Sequence, residues 1–327
     1  MRILKFTGIF FIILVPISLE SETLKKYHDR IEVHQFIEMM HEKHQFDKED
    51  LSKLLSGAIY QEKVIRIMNS QPESTMTWSN YKKIMVSPER INSGRDFIET
   101  YKQDLIRAEE VYGVPAEIIA SIIGIETRYG RVKGNTRVLD SLMTLSFDYP
   151  RRSKFFKTQL EEFLLLVEEE NLDASRVKGS IAGAMGYGQF MPDSYRDYAV
   201  DFDFDGRRDI LENPVDSIGS VANFLRKKGR WEANTEIVIK AELTGERPIL
   251  KSAFKPYVPV TELKTFKMKP TKSIQSRQKV VPIELESAEG FEYWLGLKNF
   301  YALSRYNKSK FYVMAVFEFS KSLSDFL

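Results

Sequence analysis

The chain has 327 residues, 43% of them hydrophobic, and its 48 Lys and Arg nearly balance 46 Asp and Glu to leave a net charge of +2. That length suits roughly two or three domains, and the balance gives no global field toward nucleic acid. There is no cysteine, and the four histidines (His28, His34, His41 and His44) leave the 283 residues after His44 without thiol or imidazole. Disulfide frameworks, cysteine nucleophiles, Cys/His zinc centres and Ser-His-Asp triads are excluded there, so chemistry falls to carboxylates, amides, hydroxyls, Lys or Arg.

Met1-Arg2 and Leu4-Lys5 precede an apolar run from Phe6 to Leu19. Positive charge before about a dozen apolar residues is an export pattern, short of the ~20 residues of a spanning helix. Residues 1–20 are read as an export signal to the periplasm. An uncleaved N-terminal anchor is the alternative, since Pro16 to Ser21 offers no clean small-x-small cleavage site. Lacking cysteine, the chain is not a bacterial lipoprotein.

Residues 21–95 read as an N-terminal helical region. Val33, Phe36, Ile37 and Met40 fall at i, i+3, i+4 and i+7, and Asp47 opens a second helix through Leu51, Leu54, Leu55 and Ala58. His41 and His44 are spaced to share a metal, although a polar helix face is the simpler reading. A core over residues 96–235 follows, with helical patterns at 96–112 and 155–170. Phe155, Phe156, Leu160, Phe163, Leu164 and Val167 form the stripe of the latter.

Gly113 to Gly130 predicts a helix with Pro115 at its first position and Gly130 just past its last turn. Ile119, Ile122, Ile123 and Glu126 share one buried stripe. A carboxyl on such a face loses hydration, and the C-terminal end of the helix dipole further disfavours its charge, so its pKa should rise toward that of a proton donor near neutral pH. Glu117, in the first turn, is an ordinary helix-start acid. The structural alternative for Glu126 is a buried pair with an arginine such as Arg128 or Arg137.

Gly179 to Pro192 is glycine-rich, with the spacing Gly-x-x-Gly-x-Gly, no following Lys-Ser/Thr and no preceding strand pattern, which rejects a nucleotide cradle. Gln189 beside Met185, Tyr187 and Phe190 offers amide and aromatic surface of the kind that suits a sugar. Asp201-Phe202-Asp203-Phe204-Asp205-Gly206-Arg207-Arg208-Asp209-Ile210-Leu211-Glu212 fits the D-x-D-x-D-G-x5-E calcium loop. Asp201, Asp203, Asp205, the Arg207 carbonyl, Asp209 and Glu212 are the candidate ligands; a solvated acidic turn is the alternative. A helix then starts at Asn213-Pro214 and runs through Ile218, Val221, Ala222 and Leu225.

From about Ile237 the composition changes. Arg247 to Val280 holds nine Lys and Arg, one acid (Glu262) and four prolines. β-type runs at Glu236–Leu243, Tyr257–Val260, Lys264–Met268 and Val280–Leu285 predict a small, basic, inserted antiparallel module over 236–286. Its charge reads as a solvated face or as attraction to an anionic polymer. Residues 287–327 return to helix with Tyr312, Val313, Val316 and Phe317. The fold class is α+β, mainly helical.

Taken together, several motifs resemble the membrane-bound lytic murein transglycosylase B family, soluble forms included. They are Tyr112 to Pro115 through Glu126-Thr127-Arg128-Tyr129-Gly130, Tyr149-Pro150-Arg151-Arg152, Ala182 to Pro192, Asn299-Phe300-Tyr301 and Arg305-Tyr306-Asn307. The resemblance runs from about Thr75 to the C-terminus, with a looser match over the basic module.

It implies a lysozyme-like core that cleaves the β-1,4 bond between N-acetylmuramic acid and N-acetylglucosamine without water, leaving 1,6-anhydro ends. Glu126 matches the single catalytic acid/base. Substrate contacts fall on positions matching Tyr81, Arg151, Arg152, Ser180, Gln189, Phe190, Tyr306, Asn307 and Tyr312. Phe224 stands for a substrate-lining Tyr and Tyr129 for a frequent Trp, so both keep an aromatic surface. The family's calcium loop closes on a carboxylate matching Asp216, which competes with Glu212; for Asp216 the alternative is a helix first-turn acid.

Expected partners are peptidoglycan glycan strands and other cell-wall enzymes, with structural Ca2+, no organic cofactor, no nucleic acid and a monomeric chain. The rival readings are a lysozyme-type hydrolase using the same Glu126 and an inactive, calcium-stabilised wall-binding scaffold.

Overall fold

The computed structural model describes residues 27–70 and 76–327, so the expected export signal lies outside the described residues. In chain order the elements are α1 (Ile31–His44), α2 (Lys48–Ser56), α3 (Glu62–Asn69), α4 (Trp78–Met85), α5 (Pro88–Tyr112), α6 (Ala116–Thr127), β1 (Thr136–Arg137), α7 (Val138–Phe147), α8 (Ser153–Glu169), β2 (Lys178–Gly179), α9 (Pro192–Tyr198) and α10 (Pro214–Lys227). They continue with β3 (Val238–Leu243), β4 (Val258–Pro259), β5 (Met268–Pro270), β6 (Lys279–Ser287), β7 (Gly290–Gly296), α11 (Lys298–Ser304) and α12 (Lys310–Leu323). The mainly helical α+β class read from the sequence is the one observed. Among the described residues, no helix is long and apolar enough to cross a membrane.

Helix starts follow side-chain chemistry. Asp47 accepts from the Glu49 and Asp50 amides, and Asn213 from those of Val215 and Asp216, each satisfying donors that the first turn leaves unpaired. Ser87 caps α5 in the same way, with Pro88 at its first position. This start lies inside the expected N-terminal region, so α5 runs across the boundary placed at 95/96 and bends only at Tyr101, where φ is −115°.

One apolar core joins the two regions. It includes Val33, Phe36 and Met40 of α1 together with Ile119, Ile122 and Ile123 of α6. Polar ties reinforce it. The buried Asp140 on α7 accepts from the Ile59 amide at 2.8 Å and from Arg137 at 2.5 Å. Thr144 accepts from the Gln61 amide at 3.0 Å. His41 and His44 do not converge on a metal: the His41 ring meets the Phe46 carbonyl, and His44 meets Glu161 at 2.8 Å.

The inserted module is a five-stranded antiparallel sheet in the order β4-β6-β7-β3-β5. Its end differs from the expected 286, because β6 turns at Gly290 into β7 and the sheet runs to Gly296. The Lys264–Met268 run is also mostly 3-10 helix, with strand only from Met268. Alternate residues serve opposite faces. Val281, Ile283, Leu285 and Trp294 join the helical core, whereas Val280, Tyr293 and Leu295 face a small second core with Val258, Leu263 and Met268. The chain then returns through α11 to α12, which packs beside α6.

Asp140→Ala leaves the Ile59 amide without its acceptor and Arg137 with only the Gly57 carbonyl, and should lower unfolding stability by about 2–4 kcal/mol. Urea denaturation measures it. A loss within about 0.5 kcal/mol would show that Asp140 does not fasten the N-terminal region.

Candidate active site

Helix α6 places the central carboxyl. The expectation of one buried stripe is too narrow, because Ile118 and Ile125 are buried as well as Ile119, Ile122 and Ile123. A helix apolar all round belongs inside a core. Pro115 is its N-cap, and the Ala116 amide donates to Glu109 of α5. At the other end Arg128, Tyr129 and Gly130 all take positive φ (51°, 60° and 82°), so Gly130 is the third residue of the reversal. The buried Arg90 of α5 donates to the Gly124 carbonyl at 2.7 Å, adding a second donor to an acceptor that also takes the Arg128 amide at the helix end.

Glu126 lies in this last turn and is only partly exposed. Desolvation raises its pKa from 4.5 to about 7, opposed in part by the nearby Tyr312 hydroxyl, which favours the charged form. Among the described residues, no cation lies within ion-pair distance of it. Arg137 is held by Asp140 and the Gly57 carbonyl, and Arg128 reaches toward Glu89 at 3.9 Å, so neither arginine pairs with Glu126. Tyr306 and Tyr312 both sense the Glu126 charge, and burial pushes both phenols well above their ordinary range. These two rings stack with centroids 6.3 Å apart.

The aromatic wall extends in two directions. Tyr306 contacts Phe224 at 4.8 Å and Phe190 at 5.9 Å, and Phe190 contacts Phe224 at 5.5 Å. Tyr81 of α4 is buried against Phe311, which adjoins Tyr312 in the chain. Tyr129 is different. Its ring stacks on Phe97 at 4.9 Å and lies against Gly94 and Gly124, where an added Cβ would meet its hydroxyl at 2.5 Å. The aromatic cleft surface expected of it is therefore replaced by a packing role between α5 and α6.

The glycine-rich loop is fastened directly to α6. Thr127 Oγ1 donates to the Tyr187 carbonyl at 2.9 Å and accepts from the Gly130 amide. Met185 and Phe190 exchange backbone hydrogen bonds of 2.8 and 2.9 Å, closing the loop on itself. Ser180 Oγ accepts from the Ala184 amide, and the Gln189 amide nitrogen donates to the Gly186 and Lys133 carbonyls. Gly186, at φ 73°, sits so close to Ile210 that a Cβ would fall 2.2 Å from its carbonyl oxygen. Here glycine serves close packing.

Ile210 belongs to the acidic loop, which is thus braced against the glycine loop. Asp201, Asp203 and Asp205 bring carboxylate oxygens within 4.8 Å of one another, the only such metal-competent group among the described residues. Gly206 takes the φ of 89° that the turn requires, with open space at its Cβ position. Asp209 caps the Leu211 and Glu212 amides. Glu212 turns outward to Lys133 at 2.6 Å, while Asp216 is fully buried beneath the loop and accepts from the Phe202 and Asp209 amides. Arg207 is exposed at the tip.

The remaining predicted residues lie in turns. Arg151 and Arg152 are exposed on a 3-10 turn before α8, with Arg152 over the Phe155 ring at 4.3 Å, and Asn307 is exposed between α11 and α12.

Residues 28–321 match the family model described as the transglycosylase SLT domain. The chain is 42% identical over 299 residues to membrane-bound lytic murein transglycosylase B of Escherichia coli K12, covering 89% of this chain and 82% of that one. The chain belongs to the SLT transglycosylase family. Its fold is similar to the crystal structure of lytic transglycosylase SltB1 from Pseudomonas aeruginosa, with TM-score 0.88, 40% identity, and coverage of 91% and 99%. It is also similar to the lytic transglycosylase Slt35 of Escherichia coli in complex with calcium, at TM-score 0.84, 42% identity, and coverage of 90% and 93%. The SLT match begins at residue 28, so the likeness includes the N-terminal helices upstream of Thr75. The core is lysozyme-like.

Sequence reasoning missed Arg90, Thr127 and Lys133. Arg90 lies 34 positions before the carbonyl it caps and carries no local signature. Lys133 donates to both the Leu211 carbonyl and Glu212, linking the acidic loop to the turn after α6.

The raised pKa has a stability consequence. Below about 4.5 the Glu126 carboxyl is protonated whether folded or unfolded; between about 4.5 and 7 the unfolded carboxyl ionises while the desolvated native one keeps its proton, so stability falls across that window and levels off above it. Glu126→Gln should therefore become more stable than wild type across that window, by up to about 3 kcal/mol at its upper end. Unfolding measured from pH 4 to 8 tests this; a constant difference would show an unperturbed carboxyl.

Proposed function

We propose that this lytic murein transglycosylase uses Glu126 as its single acid/base to cleave the β-1,4 bond between N-acetylmuramic acid and N-acetylglucosamine in peptidoglycan. What supports the reading is a carboxyl set beside the Tyr306 and Tyr312 rings, pushed up to about 7 by burial, with no ion-pair partner among the described residues. Most glycosidases pair two carboxylates. Here the groups around Glu126 are tyrosines, which leaves the nucleophile to the substrate.

In the first step protonated Glu126 gives its proton to the glycosidic oxygen, the muramic C1–O bond breaks, and N-acetylglucosamine leaves with a free 4-hydroxyl. The muramic N-acetyl oxygen supports the cation developing at C1. Glu126, now a carboxylate, then takes the proton of the muramic C6 hydroxyl as O6 attacks C1 and closes the 1,6-anhydro ring. The acid is regenerated and no water is consumed. One group serves both steps best when its pKa lies near the working pH.

Of the aromatic wall, the partly exposed Tyr306 offers apolar surface to a sugar face, backed by the buried rings of Tyr81, Phe190, Phe224 and Tyr312. Ser180, Gln189 and Asn307 supply polar contacts along the strand, and Arg151 and Arg152 are placed to meet anionic substituents. Substrate location puts this chemistry in the periplasm, reached through the N-terminal export segment.

Calcium fits the acidic loop by its donor set of three clustered carboxylates, and the Arg207 carbonyl would be its backbone ligand. Asp216 is the better closing ligand, because it lies inside the loop while Glu212 is engaged by Lys133. Bound calcium would neutralise the mutual repulsion of the carboxylates and stiffen the brace through Ile210 to the glycine loop. No step of the reaction runs through it.

Digestion of purified sacculi decides the reaction: anhydro-muropeptides are expected, and reducing ends would instead indicate a hydrolase. Folded Glu126→Gln should lose activity by about 10³-fold. Retained turnover would remove Glu126 from its role. Chelation should lower the melting temperature by several degrees, an effect that Asp216→Asn abolishes and Glu212→Gln retains. An unchanged melting curve on chelation would remove calcium from the loop.

A further inference from the structure

A second feature lies between the helical core and the sheet. A groove of about 1020 Å³ is bounded by the end of α10, the segments leading into β4 and β6, and α11. Lys228, Arg230, Lys255, Arg277, Lys279 and Arg305 line it, brought from four separate stretches of chain. Its one acid, Glu232, is held by Lys298. Among the described residues, none of those six cations has a carboxylate partner within ion-pair distance, unlike Arg247 and Lys272 of the same module, which pair with Glu284 and Glu236. Like charges gathered in a concave surface focus a positive potential and favour a multiply anionic ligand.

The groove also adjoins the cleft. Tyr198 lines it, with Lys228 Nζ 5.3 Å above the ring, and packs edge-on against Phe224 at 5.2 Å. Phe224 in turn meets Tyr306, the ring beside Glu126.

We propose that this groove binds the carboxylate-bearing peptide stems of a glycan strand lying in the cleft. The proposal rests on peptidoglycan being the substrate. Stems hang from the muramic residues, so a strand seated at Glu126 carries its neighbouring stems along the cleft rim. Arginine forks and lysine ammoniums pair with carboxylates, and Gln275 and Gln278 in the same lining offer amide donors and acceptors for the peptide bonds of a stem. The basic composition of the inserted module thus acquires a specific ligand.

The test compares soluble glycan strands bearing stems with the same strands stripped by an amidase. Arg277→Glu combined with Lys279→Glu changes two exposed side chains away from the cleft aromatics. On stem-bearing strands the double variant should raise KM about tenfold with kcat unchanged, and the effect should fade at about 0.5 M salt. On stripped strands it should match wild type, which also shows that it folds.

Binding measured in a Glu126→Gln background, without turnover, should show the same split. Equal loss on both strands, or loss on neither, would overturn the proposal. Unchanged behaviour on strands with lost binding to anionic lipid vesicles would overturn it too, assigning the groove to a membrane surface. A stem preference in binding without any cleavage by wild type would instead count against the transglycosylase reading alone.

Discussion

A carboxyl kept from water with no cation beside it is costly to ionise, and the arrangement around Glu126 follows from that constraint. Helix α6 is buried on all sides, so its last turn is the point at which it can present a group to a cleft. Arg90 donates to the Gly124 carbonyl of that turn, and Thr127 ties the same turn to the glycine loop. Positive charge is thus spent on backbone acceptors one or two residues away. Had Arg90 paired with Glu126, the carboxyl would be held ionised at neutral pH and would be a poor proton donor.

The distant parts of the chain make sense as supports for that turn. The acidic loop reaches it through Ile210, Gly186 and Tyr187; Lys133 adds a second tie from the Leu211 carbonyl. The C-terminal helix α12 brings Tyr312 to the carboxyl and Phe311 to Tyr81. The inserted sheet sends alternate residues into the helical core, so its position relative to the cleft is set by packing such as Trp294 on Phe317. That packing also lets its basic edge share a groove with the end of α10.

Local chemistry made much of this legible. Asp47, Asn213 and Pro214 mark helix starts because caps act over two or three residues. The acidic loop is visible because its carboxylates are close together in the chain, and Glu126 stands out because one acid interrupts a run of isoleucines. The features that escaped are those set by contacts far apart in the chain. The burial of Ile118 and Ile125 depends on α5, α10 and α12 surrounding α6. Tyr129 fills a slot made by two glycines 30 residues apart, Gly94 and Gly124. Strand β7 was lost because its apolar and charged residues do not alternate cleanly, and only pairing with β6 fixes its place. That Lys133 holds Glu212 outward while Asp216 lies buried beneath the loop has no signature in the sequence.

The protonation of Glu126 itself is the most direct measurement. With glutamate carboxyls labelled by carbon-13, the Glu126 resonance is assigned by its absence in Glu126→Gln and followed through a pH titration of the intact protein. A midpoint near 7 is expected from the desolvated site. A midpoint between about 4 and 5, the range of a hydrated glutamate, would contradict it.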